Sequence, residues 1–197
     1  QNMQANGSFY NIDESLFSFP SSAAALLKYK KHEWVIIAFE KNKSISVIWT
    51  NKGLDKASVS LQLPIEQIVG LVKKEEQTSI LRFHNHPNPS PNYYSFRRPS
   101  QQDIKSARKL AIIFNHNGVN LLDFICERGR YHTFFISVAD NFLPLREFVG
   151  EINKVNGISK LRNLSLHLER FSSEDGNPKS GIIEFPIGKL KSTESFI

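Results

Sequence analysis

Residues 79–87, SILRFHNHP, decide the reading of this chain. Ser79 to Phe83 has the short apolar run of a strand, and it leads straight into a histidine pair. Upstream, EWVIIAF (residues 33–39) is too apolar for an exposed strand and reads as a buried central one. Asn42 supplies a turn, and SISVIWTN (residues 44–51) alternates as a second strand ended by Gly53. ASVSLQL (residues 57–63) alternates again. Two helices belong to this half. SSAAALLKYK is expected to start at Ser21 or Ser22 and stop near Lys31. PIEQIVGLVKKEEQ opens on Pro64, with Ile65, Ile68, Val69 and Val72 on one face. Downstream, Ser100 caps a helix that Gly118 stops, and Asn120–Cys126 and Tyr131–Ile136 read as two strands turning at residues 128–130. Helices alternating with strands in this order predict an α/β sandwich built on a mixed sheet.

The two ends read differently. Residues 1–20 are polar with scattered aromatics and show no clear period, so they are taken as an N-terminal extension. Past Pro144, Leu145, Phe148, Val149 and Ile152 recur at helical spacing, as do Ile158, Leu161, Leu164, Leu168 and Phe171. Residues 141–171 are therefore expected to form a C-terminal helical extension, packed on the core or on a protein partner. Residues 172–197 read as a polar linker and tail. Residues 21–140 are the expected domain.

The 197 residues suffice for one domain with a proper core plus an appendage. No apolar run approaches the roughly 20 residues of a membrane span, so an integral membrane protein is not expected. A single cysteine, Cys126, rules out a disulfide within the chain and fits a reducing compartment such as the cytoplasm. The net charge of +6 permits an acidic or nucleic-acid partner without demanding one. Its short groups, Lys28 with Lys30 and Lys31 among them, read as solvated faces.

His84 and His86 stand at i and i+2 of a strand end, where side chains alternate, so both imidazoles point to one side and can reach one ion. Asp103 falls in the first turn of the next helix. Two nitrogens and one carboxylate oxygen leave a tetrahedral zinc an open position for water, the arrangement catalytic zinc uses.

Pro87 and the Pro99-Ser100-Gln101-Gln102-Asp103 helix start extend this pair into a pattern. It resembles the JAMM motif, His-x-His-Pro followed by Ser-x-x-Asp, of the JAB/MPN metallopeptidase superfamily. The helix from Pro64, SILRFHNHP, the start at Pro99 and NLLDFICERGRYHTF (residues 120–134) are similar to the RadC-like JAB branch. The resemblance spans about Ala24 to Ser137. It implies a three-layer-like JAB/MPN domain, with a cytidine-deaminase-like mixed β-sheet flanked by helices. It also implies Zn2+ on His84, His86 and Asp103. Ser100 matches the serine that hydrogen-bonds a developing oxyanion, and it equally suits a helix N-cap. Glu33 occupies the place of the family's glutamate, whose job is to take a proton from the zinc-bound water and pass it to the leaving amine. Glu66 is the rival carboxylate, and a solvated helix position describes it as well.

Two departures stand out. Asn88 and Pro89 follow Pro87 where the family has Ser-Gly, and the loop to Ser100 is longer than its common spacing. Ala107 stands where RadC-like proteins often have threonine. The extra loop holds Tyr93, Tyr94, Phe96, Arg97 and Arg98, which either anchor a peptide or nucleic-acid strand or pack the loop down. The expected function is zinc-dependent hydrolysis of a peptide or isopeptide bond, with a protein or peptide substrate such as a ubiquitin-like conjugate. The alternative is a RadC-like protein acting with nucleic acid in DNA repair or mobile-element biology.

Overall fold

A computed structural model describes residues 7–53, 65–76, 78–90, 98–139, 167–172 and 178–184. In chain order the elements are β1 (Ser8–Ser15), α1 (Phe19–Leu27), β2 (Trp34–Lys41), β3 (Ser44–Lys52), α2 (Ile65–Lys74), β4 (Ser79–Asn85), α3 (Gln101–His116), β5 (Asn120–Glu127), β6 (Arg130–Ala139), β7 (His167–Ser172) and β8 (Pro178–Glu184). The strands form one sheet in the order β1-β3-β2-β4-β5-β6-β8-β7. Every pairing is antiparallel except β4 with β5, which is parallel. A parallel pair needs a crossover, and α3 supplies it. The sheet is mixed and flanked by helices, the α/β class expected from the sequence.

The apolar runs sit where burial on both faces demands them. β5 is buried at all eight positions, β2 at seven of eight and β4 at six of seven. Alternation along β4 divides its residues between two layers. On one face Phe83 stacks on Phe124 of β5 at 4.4 Å between ring centroids and meets Phe19 of α1 edge-on at 5.5 Å. On the other face Arg82 donates to Ser106 of α3. α1 and α3 therefore cover opposite faces, and His84 and His86 share the face that α3 covers.

α1 begins earlier than expected. Ser18 is the N-cap, Phe19 and Pro20 lie in the first turn, and the helix ends at Leu27 rather than near Lys31. Proline fits there because the missing N–H has no helical acceptor in a first turn. β1 lies within residues 1–20, where no period was read. Its burial does alternate, with Tyr10 and Ile12 turned inward, but Phe9 on the outer face blurs the apolar pattern. At the other end, residues 167–172 and 178–184 are paired strands. This corrects the helix expected through Leu168 and Phe171 and, at residues 178–184, the polar linker and tail expected over 172–197; residues 173–177 and 185–197 lie outside the described residues. Leu168 lies on β7, and antiparallel pairing with β8 sets its period at two. The strand expected at residues 57–63, the helix expected at 145–152 and the start of the second at Ile158 lie outside the described residues.

Candidate metal centre

β4 and β5 run parallel, and a crevice opens beyond the carboxyl ends of such strands, where the following helix also begins. His84 lies at that end of β4, and the backbone N–H of His86 donates to the Cys126 carbonyl of β5 at 2.9 Å, one step past the ladder. Asp103 arrives from the first turn of α3. Its approach is set by a reciprocal cap: Ser100 Oγ accepts from the Asp103 N–H at 3.1 Å, and Asp103 Oδ2 accepts from the Ser100 N–H at 2.7 Å. The carboxylate also sits where a helix N-terminus favours negative charge.

The three side chains converge. His84 Nε2 and His86 Nε2 are 3.0 Å apart, Asp103 Oδ1 is 3.3 Å from His84 Nε2, and Asp103 Oδ2 is 3.4 Å from His86 Nε2. Ligands held about 2.0–2.1 Å from a tetrahedral zinc lie about 3.3–3.4 Å from one another. The two carboxylate distances match that figure, each through a different oxygen, the imidazole nitrogens stand somewhat closer, and the cluster could hold a metal ion. Burial pulls the Asp103 pKa upward, but hydrogen bonds from His84 and His86, the charge of His84 and the Ser100 N–H outweigh it. The carboxyl is held well below the usual carboxylate range. His84 is buried, with its ring edge-on to Phe134 at 6.3 Å.

Two supports were not singled out in the sequence. Arg82, two residues before His84 on the same face, donates through Nε (2.9 Å) and Nη2 to Asp123 Oδ2 and through Nη1 to Ser106 Oγ at 3.1 Å. Asp123 is fully buried and faces Arg82 across the parallel ladder, while Ser106 lies one turn beyond Asp103. This linkage fixes the helix that carries Asp103 against the strand that carries the histidines. The signal was one charged residue inside each of two apolar runs, Arg82 in SILRF and Asp123 in LLDFIC.

Asn85 is the second support. Its Oδ1 accepts from the Trp34 N–H at 2.6 Å, and its Nδ2 donates to the His32 carbonyl at 2.9 Å. Those two peptide groups flank Glu33. The antiparallel register of β2 with β4 reaches Val35 opposite His84, and Glu33 lies two residues before Val35, just ahead of β2. Glu33 is half-buried, and its carbonyl accepts from the Gly53 N–H at 2.7 Å. Glu66 is exposed on the first turn of α2.

The departing loop residue Asn88 is also anchored. Its Nδ2 donates to the buried Glu127 at 2.8 Å, and its Oδ1 accepts from the Ser90 N–H at 3.0 Å. Ala107 is fully buried in the core. Of the aromatic and basic loop, only Arg98 is described, and it is half-buried. Tyr93, Tyr94, Phe96 and Arg97 lie outside the described residues. Among those described, no helix is long and apolar enough to cross a membrane.

No curated protein matches the chain. A family model, the RadC-like JAB domain, matches residues 15–141, well over half of its length. The match runs from the last residue of β1 past the end of β6 and so takes in His84, His86 and Asp103 with the βαβ unit that carries them. The chain belongs to the RadC-like JAB domain family.

Proposed function

We propose that this chain is a zinc-dependent hydrolase that cleaves a peptide or isopeptide bond. The observation that carries the reading is the convergence of His84, His86 and Asp103, whose ligand atoms all lie within 4.8 Å of one another; Glu33, just ahead of the strand paired with β4, is the carboxylate assigned as base. Two imidazoles, one carboxylate and an open position suit zinc and the catalytic use of it. His84, His86 and Asp103 would hold the zinc, which would supply a Lewis acid able to lower the pKa of a water to about 7.

The chain's own groups have separate tasks. Glu33 accepts a proton at its carboxylate and delivers it to the leaving amine nitrogen. Ser100 keeps its hydroxyl proton for an oxyanion, because its oxygen only accepts in the helix cap and a hydroxyl has one donor beside two acceptor sites. Asn85 fixes the backbone on both sides of Glu33, and Arg82 fixes α3. A protein substrate, such as a ubiquitin-like conjugate, presents the amide this chemistry needs. A cytoplasmic setting agrees with the lone buried thiol of Cys126.

The test is cleavage of isopeptide-linked and linear peptides, with and without a chelator. Chelation should abolish turnover, and Glu33→Gln should lower it by about 10²–10⁴-fold. Turnover by Glu33→Gln equal to that of the wild type would remove Glu33 from the reaction. The alternative, action on nucleic acid, is supported by the charge of +6. It requires salt-dependent binding of single-stranded DNA that Arg97→Ala with Arg98→Ala weakens.

A further inference from the structure

A cleft of about 640 Å³ opens beside the metal cluster, with His86 and Pro87 in its wall. Lys28, Lys30, Lys31 and Arg128 line it, and among the described residues no carboxylate does. None of these four cations is in an ion pair among the described residues. They come from two separate places, the turn after α1 and the β5–β6 hairpin.

The hairpin turn sets Arg128 beside the lysines. Arg128 has φ +51° and Gly129 φ +78° in a two-residue hairpin turn, whose first position favours asparagine, aspartate or glycine over arginine. A Cβ on Gly129 would lie 2.9 Å from Lys28 Cδ, so the Lys28 stem runs close against the hairpin turn. Lys30 Nζ sits 4.8 Å from the Trp34 ring centroid, a cation–π contact that holds it near the start of β2. Like charges gathered without counter-charges repel one another, so an anionic occupant is the favourable partner.

We infer that this cleft binds an acidic segment of the polypeptide whose amide bond reaches the metal centre. The inference rests on the proposed hydrolase for its choice of a polypeptide, because the cleft and the metal cluster share His86. Leu27, Pro87 and Pro89 add apolar wall suited to side chains, and the exposed Tyr29 stands at the rim.

The experiment uses the full chain and fluorescence anisotropy at low ionic strength. The probes are labelled hexaglutamate, hexalysine and hexathymidylate. Hexaglutamate should bind and hexalysine should not. Lys30→Glu with Arg128→Glu should weaken hexaglutamate by at least about tenfold, equivalent to roughly 1.4 kcal/mol. Lys73→Glu with Lys74→Glu, which changes net charge equally on the exposed end of α2, should leave binding within about twofold. His84→Ala with Asp103→Ala should also retain hexaglutamate binding, which separates the cleft from the metal reading. Equal loss in both charge-reversal pairs would overturn the cleft. Tighter binding of hexathymidylate, released by the cleft pair alone, would replace the polypeptide with a nucleic-acid strand. Zinc-dependent cleavage that ignores the cleft pair for acidic substrates would overturn the cleft while leaving the hydrolase standing.

Discussion

Truncating Asn85 to alanine should destabilise the domain by about 2–3 kcal/mol, because it removes one hydrogen bond to each peptide group beside Glu33. A typical net bond contributes about 1 kcal/mol, and an orphaned buried donor costs about 1–3 kcal/mol. Asn85 and Trp34 are both buried, so water does not readily reach the freed Trp34 N–H. For a chain of this length such a loss lowers Tm by roughly 5–10 °C. Urea denaturation followed by circular dichroism reads the energy, and amide hydrogen exchange at Trp34 reads the local opening. Asn85→Asp separates the two contacts: it keeps an acceptor for Trp34 but sets a carboxylate against the His32 carbonyl. That variant should be no better than alanine at pH 7. A change below about 0.5 kcal/mol in Asn85→Ala, with Trp34 exchange unaltered, would refute the idea that this side chain holds the Glu33 segment.

The remaining predictions concern other parts of the same region. Asp123→Ala strands Arg82 in a buried setting and should cost about 3–5 kcal/mol in urea unfolding, whereas Ser106→Ala should cost only about 1 kcal/mol. A loss from Asp123→Ala no larger than that from Ser106→Ala would contradict the linkage. Burial pushes the Cys126 thiol well above its ordinary range, so Ellman's reagent should leave it untouched in the native state and react once the chain unfolds; fast native labelling would count against the buried assignment. The depressed Asp103 carboxyl adds stability that is complete above its unfolded value near 4 and is lost as pH falls from there toward the folded value. Metal-free wild type should thus lose stability below about pH 4 more steeply than Asp103→Asn does, and parallel curves would contradict the account.

Much of the fold was legible because its informative segments obey one dominant rule each. β2, β4 and β5 are apolar throughout, and only strands covered on both faces need that. α3 carries its own start and stop, with Ser100 as the N-cap and Gly118 at φ +71° past the end. β1 and β7 were not legible because each is an outlying strand. Pairing with a neighbour, rather than a strong alternation of its own, decides its structure.

The clustering of His84, His86 and Asp103 was legible for a related reason. His84 and His86 share a face by strand geometry, and the Ser100 cap places Asp103 by helix geometry, so local rules deliver all three. The supports are long-range: a charge inside an apolar strand marks Arg82 and Asp123, but spacing along the chain does not pair them. Asn85 reaches back across 51 residues to Trp34, and Arg82 reaches across 41 to Asp123. The lysines at residues 28, 30 and 31 read as a solvated face until the hairpin brings Arg128 beside them.

The metal centre itself is tested most directly by the metal content of protein purified without chelators, measured by plasma mass spectrometry. About one zinc per chain is expected, lost in His86→Ala and in Asp103→Ala while circular dichroism shows the fold retained. Wild-type protein without zinc, or zinc that persists in both variants, would contradict the account.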